Sequence, residues 1–187
     1  MPILRKESDI YPHDLFSIPV EESPWEIAQV RSRHEKTLAR LLLDRQQPFY
    51  LPQLEKKVRR AGRTFTSFFP LFSGYVFLRR TPATRQVLWS TEAIARVIRV
   101  EDQTLLTKEL EQIRSLQERG ATLVVLPDLV AGDPVQIKDG VFQGYFGTVL
   151  RDRDEQRLVV TITAVNKSVV ADLPRESLAR VKRDASR

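Results

Sequence analysis

The run from Pro70 to Leu78, PLFSGYVFL, constrains this chain more than any other stretch. It is short, aromatic and aliphatic, follows directly on a proline and carries Ser73-Gly74 within it. Read as one strand, its alternation sends Leu71, Ser73, Tyr75 and Phe77 to one face and Phe72, Gly74, Val76 and Leu78 to the other. Large apolar groups then stand on both faces. Such a strand is either buried between layers or offers one face to a partner.

The rest of the chain limits what that strand can belong to. A length of 187 residues allows one ordinary domain or two small ones, and 42% hydrophobic residues are enough for a core. There is no apolar run of about 18 residues and no lysine-flanked leader, so neither a membrane span nor a signal peptide is expected. The absence of cysteine excludes disulfides, thiolate zinc sites and cysteine nucleophiles. A folded, cytoplasmic protein fits. The net charge is +6, and residues 1–127 carry most of it, with 20 Lys+Arg against 15 Asp+Glu. The densest cluster is Lys56, Lys57, Arg59, Arg60 and Arg63, relieved only by Glu55. That asymmetry favours a polyanionic neighbour such as nucleic acid, although basic clusters are also common on solvated loops.

Pro2, Pro12, Pro19 and Pro24 interrupt any period in residues 1–24, which read as a flexible tail. Trp25 to Arg31 alternates as a strand, and leucines at three- and four-residue spacing predict a helix from about Arg33 to Gln46, stopped by Pro48. Phe49 to Val58 reads as one strand running into the basic segment. Gly62 turns a long hairpin, with PLFSGYVFL as part of its returning arm. A short helix over Pro82–Ser90, anchored by Val87, Leu88 and Trp89, and a strand over Ile94–Val100 follow. Thr107 is the expected cap of the next helix, and Gly120 its stop. The order βαββαβα describes an α+β, ferredoxin-like domain over residues 25–120.

Ala121 to Ala131 reads as a linker broken by Pro127. From Gly132 onward the texture is short β-branched strands with close turns: Asp133–Lys138, Gly147–Arg151, Arg157–Val165 and Val169–Leu173. These predict a second, small all-β barrel over residues 132–183, near the lower size limit for independent folding. Gly140, Gly144 and Gly147 let the chain turn and cross closely.

Gly132-Asp133-Pro134-Val135-Gln136-Ile137, with Asp139-Gly140, Phe142, Gly144 and Gly147, resembles the KOW motif. Joined to the tryptophan-led strand, the basic hairpin and PLFSGYVFL, it makes roughly Trp25 to Val181 resemble the NusG family of transcription elongation factors. That family has an NGN domain followed by an SH3-like KOW barrel. Pro70-Leu71-Phe72, Asn166-Lys167 in the late hairpin, and Glu101-Asp102 after the fourth strand resemble the specialised RfaH-like branch, which implies antitermination at selected operons.

The resemblance implies site residues. Phe72, Tyr75, Phe77 and Ile94 match the surface that docks on the clamp helices of the RNA polymerase beta-prime subunit, although Phe72 and Phe77 suit a core equally well. Arg31, Arg33, Thr84, Arg85 and Gln86 match the surface that meets the non-template DNA strand. Val165, Asn166, Lys167 and Ser168 match the partner-binding hairpin of the barrel, where the family binds ribosomal protein S-ten or Rho. The missing aromatic-glycine pair argues against Rho. The valine- and threonine-rich LVVTITAV run favours a lasting barrel over refolding.

No catalytic apparatus is visible: His13 and His34 stand far apart, and there is no nucleophile elbow, P-loop or dinucleotide fingerprint. The expectation is therefore a monomeric regulator that is not an enzyme and needs no cofactor or metal. The competing reading is a KOW-type RNA-binding or ribosome-associated protein, which predicts salt-sensitive RNA affinity without polymerase.

Overall fold

In the computed structural model, which describes residues 5–121, 123–126, 134–136, 143–152 and 155–172, the first strand comes earlier than the proline spacing predicts. Residues 1–104 form one compact unit. Its elements are β1 (Ile10–Tyr11), β2 (Trp25–Val30), α1 (Glu35–Asp44), β3 (Phe49–Tyr50), β4 (Gln53–Arg60), β5 (Arg63–Pro70), β6 (Tyr75–Arg79), α2 (Thr84–Trp89) and β7 (Ile94–Arg99). The main sheet has the order β1-β3-β6-β2-β7, every neighbour antiparallel. β2 and β3 are therefore parallel with β6 between them, and β6 and β7 are parallel with β2 between them. Each of these pairs is joined through a helix, giving two split β-α-β crossovers.

One face of this sheet packs on both helices. Ala28, Val30, Val76, Leu78 and Phe49 meet Leu38, Ala39 and Leu42 of α1 and Val87 and Leu88 of α2, all buried. The helical spacing of the leucines in α1 predicts this stripe, because residues three and four apart share a face. α1 is two residues shorter at each end than expected. Arg33 at φ 68° starts the entry turn, and Gln46 at φ 53° lies just past the helix end.

PLFSGYVFL is not one strand. β5 ends at Pro70, Leu71–Gly74 forms a turn, and β6 begins only at Tyr75. Gly74 adopts φ 83°, a left-handed conformation that glycine enters without steric cost. Its carbonyl accepts from Val30 N–H at 2.8 Å, and its own N–H donates to Glu35 Oε1 at 2.7 Å. The turn is thereby pinned between the end of β2 and the start of α1, and the buried Glu35 carboxylate is satisfied. The hairpin's returning arm is β5, paired with β4 over all eight positions. The expected strand Phe49–Val58 is likewise split, at Leu51-Pro52. Pro52 has no N–H to give a ladder, and its carbonyl instead accepts from Leu71 N–H.

Residues 5–24 are laid across this unit, contrary to a tail. β1 pairs with β3, and Leu15 is fully buried. Phe16 packs on Trp25 at 5.7 Å and edge-on to Tyr50 at 5.5 Å between ring centroids. Arg79, also fully buried, donates from Nη2 to the carbonyls of Ile18 at 2.5 Å and Pro19 at 2.9 Å, and its guanidinium lies 4.8 Å from the Trp25 ring centroid. Burial pulls its pKa below the usual arginine value, with Glu21 opposing. The prolines limit helix here to one 3-10 turn, Leu15–Ser17, but do not prevent the burial of single large side chains between them. We expect Leu15→Ala to cost the first unit about 2–3 kcal/mol. Urea denaturation checks this, and an unchanged midpoint would mean the segment is not part of the folded core.

Residues 105–187 form the second compact unit. α3 (Gln103–Glu118) starts at the boundary, so Thr107 lies inside the helix and not at its cap. Gln103 at its first position instead binds Trp25, accepting from its N–H at 2.6 Å and donating to its carbonyl at 3.1 Å. β8 (Leu123–Leu126), β9 (Pro134–Gln136), β10 (Phe146–Asp152), β11 (Glu155–Ile162) and β12 (Lys167–Asp172) form an antiparallel sheet of order β8-β12-β11-β10-β9. β8 occupies residues expected to be linker, because its backbone completes the ladder along β12. Among the described residues no pairing joins β8 to β9, so this sheet is open where a closed barrel is expected. The linker residues 127–131 and most of the KOW-like motif, including Gly132, Asp133, Gly140 and Phe142, lie outside the described residues.

Candidate nucleic-acid and protein interfaces

The residues expected to dock a protein divide between core and surface. Phe72 and Phe77 are buried and meet edge to face at 5.7 Å. Tyr75 is half-buried. The register sets Tyr75, Gln29 and Arg96 side by side across β6, β2 and β7, on the sheet face away from α1 and α2. Arg96 Nε donates to Gln29 Oε1 at 2.6 Å, which fixes a polar rim beside the tyrosine. Phe77, Ile27 and Ile98 form the next row on that face. Ile94 is not part of this patch. A register shift between Gln29 and Val30 pairs it with Val30, so it packs against the α1–α2 core on the opposite face.

The residues expected to meet nucleic acid divide in the same way. Thr84 is buried, and its hydroxyl lies in a network with Thr81 Oγ1 at 3.0 Å and Gln47 Oε1 at 3.2 Å. It holds the start of α2 in place of a cap and has no free surface. Arg85 and Gln86 are exposed. Arg31 and Arg33 are exposed at the end of β2, where Arg31 N–H donates to the Ala93 carbonyl at 2.8 Å. That bond sets the end of β2 beside the turn that follows α2.

Trp89, expected as an apolar anchor of α2, is 75% exposed. The Arg85 guanidinium lies 4.7 Å from its ring centroid. With Val87 and Leu88 facing the core, positions 85 and 89 fall together on the outer face, as residues four apart on a helix do. That spacing was the available signal. The pair is a rigid cation–aromatic plate with most of the indole open to solvent.

In the second unit, Asn166 is exposed at φ 49° between β11 and β12, with Val165 and Lys167 half-buried. Ser168 is buried, its hydroxyl 2.9 Å from Thr161 Oγ1 across the ladder. The turn before Asn166 is held from α3, where the Glu109 carboxylate accepts from Thr163 Oγ1 at 2.6 Å and from its N–H at 3.1 Å.

A family model described as transcription termination factor nusG matches residues 23–117. The chain belongs to the NusG family. Membership makes it a transcription factor of the elongation kind, associated with the transcription machinery, in a family whose members are not enzymes. The match covers β2 through α3 of this NusG-family chain and so contains Tyr75, Arg85 and Trp89. No curated protein matches it. Among solved structures it is similar to a chain of the crystal structure titled MjSpt4:Spt5 complex conformation B. The identity is 17%, the match covers 84% of this chain and 96% of that one, and the TM-score is 0.27, too low to support an argument. No helix among the described residues is long and apolar enough to cross a membrane.

Proposed function

We propose that this protein is an RfaH-like elongation and antitermination regulator that acts as a monomer in the cytoplasm. In this reading it docks on the clamp helices of the RNA polymerase beta-prime subunit and holds the non-template DNA strand, raising processivity at selected operons. Family membership supports the polymerase as partner, and the exposed Arg85–Trp89 plate beside Gln86 carries the single-strand assignment. Every base has a face that can stack on an indole, and guanidinium groups nearby neutralise backbone phosphate. Tyr75, rimmed by Gln29 and Arg96, is the docking anchor; Phe77, in the next row of the same face, and Phe72, edge to face with it, are the buried residues beside it. The second unit serves as a KOW-type domain whose exposed Asn166 turn meets ribosomal protein S-ten.

The test is binding to a polymerase elongation complex with an exposed non-template strand. Trp89→Ala is expected to weaken it by about 1–3 kcal/mol, the range for one stacked base, without lowering thermal stability. Unchanged affinity would remove the stacking assignment. Indifference of the wild type to polymerase, with tight binding to free RNA, would move the reading to a KOW-type RNA-binding protein.

A further inference from the structure

We propose that the β4–β5 ribbon is a separate nucleic-acid site, for the phosphate backbone of double-helical DNA. The ribbon forms a two-stranded sheet of its own, apart from the two five-stranded sheets. Its strands pair without a bulge from Gln53↔Pro70 to Arg60↔Arg63. Ala61 at φ 49° and Gly62 at φ 76° close it in a tight turn. At about 3.4 Å per residue, the eight paired residues span about 27 Å, and Val58 and Ser67 on one face are buried.

The register decides what each face offers. Lys57 and Arg59 stand opposite Thr66 and Thr64 on one face, and Lys56 and Arg63 lie on the other. All six side chains are exposed. None of Lys56, Lys57, Arg59 and Arg63 has an ion-pair partner among the described residues, and Glu55 is the ribbon's single acid. Uncompensated cations cost solvation and mutual repulsion unless an anion meets them, so this charge asks for a polyanion. On the Lys57–Arg59 face the residues opposite are threonines, whose hydroxyls bond phosphate oxygens, and the outer part of that face has no aromatic on which a base could stack; the ribbon's exposed ring, Phe65, stands opposite Val58 on the other face and is 36% exposed. That composition favours a duplex over a single strand, and a two-stranded ribbon also fits a major groove about 12 Å wide. The site does not depend on the α2 surface, where a cation is joined to an exposed indole.

The experiment is fluorescence anisotropy of the full chain with a labelled mixed-sequence DNA duplex of about 20 base pairs, titrated between about 50 and 200 mM salt. Single-stranded DNA and duplex RNA of the same sequence run in parallel. The triple variant Lys57→Gln, Arg59→Gln, Arg63→Gln is expected to bind the DNA duplex roughly tenfold more weakly, with a log–log salt slope shallower by about 2.7, or ~0.9 per lost contact. Its single-strand affinity stays at the wild-type value. A charge-preserving variant, Lys57→Arg with Arg59→Lys and Arg63→Lys, retains duplex binding. Wild-type duplex affinity in the triple variant, loss in the charge-preserving one, or a preference of the wild type for duplex RNA would each overturn the proposal.

Discussion

Gly147→Ala is expected to abolish the folded second unit while leaving the first intact. A Cβ at Gly147 would lie 2.2 Å from the Val159 carbonyl oxygen and 2.9 Å from Leu158 Cδ1. The side-chain contact can relax by a rotamer change, but the backbone one cannot, because Val159 is fixed in register on both sides, to Thr148 in β10 and Val170 in β12. Relief requires parting β10 from β11. Overpacking of this kind costs about 3 kcal/mol, a large share of what so small a unit has available. Hydrogen exchange gives the readout: amides of β10, β11 and β12 lose protection, and those of β2 and β6 keep theirs. Protection retained in β11 would show that the strands are not as closely apposed as described.

The second large effect separates core from interface on neighbouring positions of one strand. Phe77→Ala removes a fully buried ring that packs edge-on to Phe72 and lies between Tyr50 and Ile27 in the sheet. Its cost is about 3–5 kcal/mol, as for other phenylalanines truncated in a core. Tyr75→Ala, two residues away on the same face but half-buried at the end of β6, is expected to cost under about 1 kcal/mol of stability. In the proposed function it weakens polymerase binding by about 2 kcal/mol, as an anchor at the centre of an interface does. Denaturant midpoints and polymerase affinities for both variants form the test. If Phe77→Ala left stability intact, or Tyr75→Ala left affinity intact, the division of the two roles would be wrong.

Much of the first unit was legible because its elements follow from local periodicity. The α1 stripe, the short α2 and the Gly62 turn each rest on residues within one or two turns of one another. Gly147 was legible for another reason, since a glycine amid β-branched residues marks a close approach of backbones. The candidate sites were legible only as residue types. Thr84, Ser168 and Ile94 have chemistries suited to a surface or a docking patch, yet Thr84 and Ser168 turn inward through hydrogen bonds to Thr81 and Gln47 and to Thr161, and Ile94 packs on the α1–α2 core. Trp89 has the chemistry of a core residue and turns outward.

By itself the sequence determined which segments pair with an apolar layer, where the hairpin turns, and that the basic charge gathers on it. Those properties are set by side-chain spacing and by glycine and proline geometry within a few residues. Only the tertiary structure decided the rest. PLFSGYVFL breaks at Gly74 because Val30 and Glu35, both distant in sequence, supply the partners for its backbone. Residues 5–24 are held because Arg79, Trp25 and Tyr50 converge on them from three strands. A one-residue register shift at Gln29 and Val30 separates Ile94 from Tyr75. Each of these outcomes depends on contacts between residues far apart in the chain, and no local pattern encodes where such partners will meet.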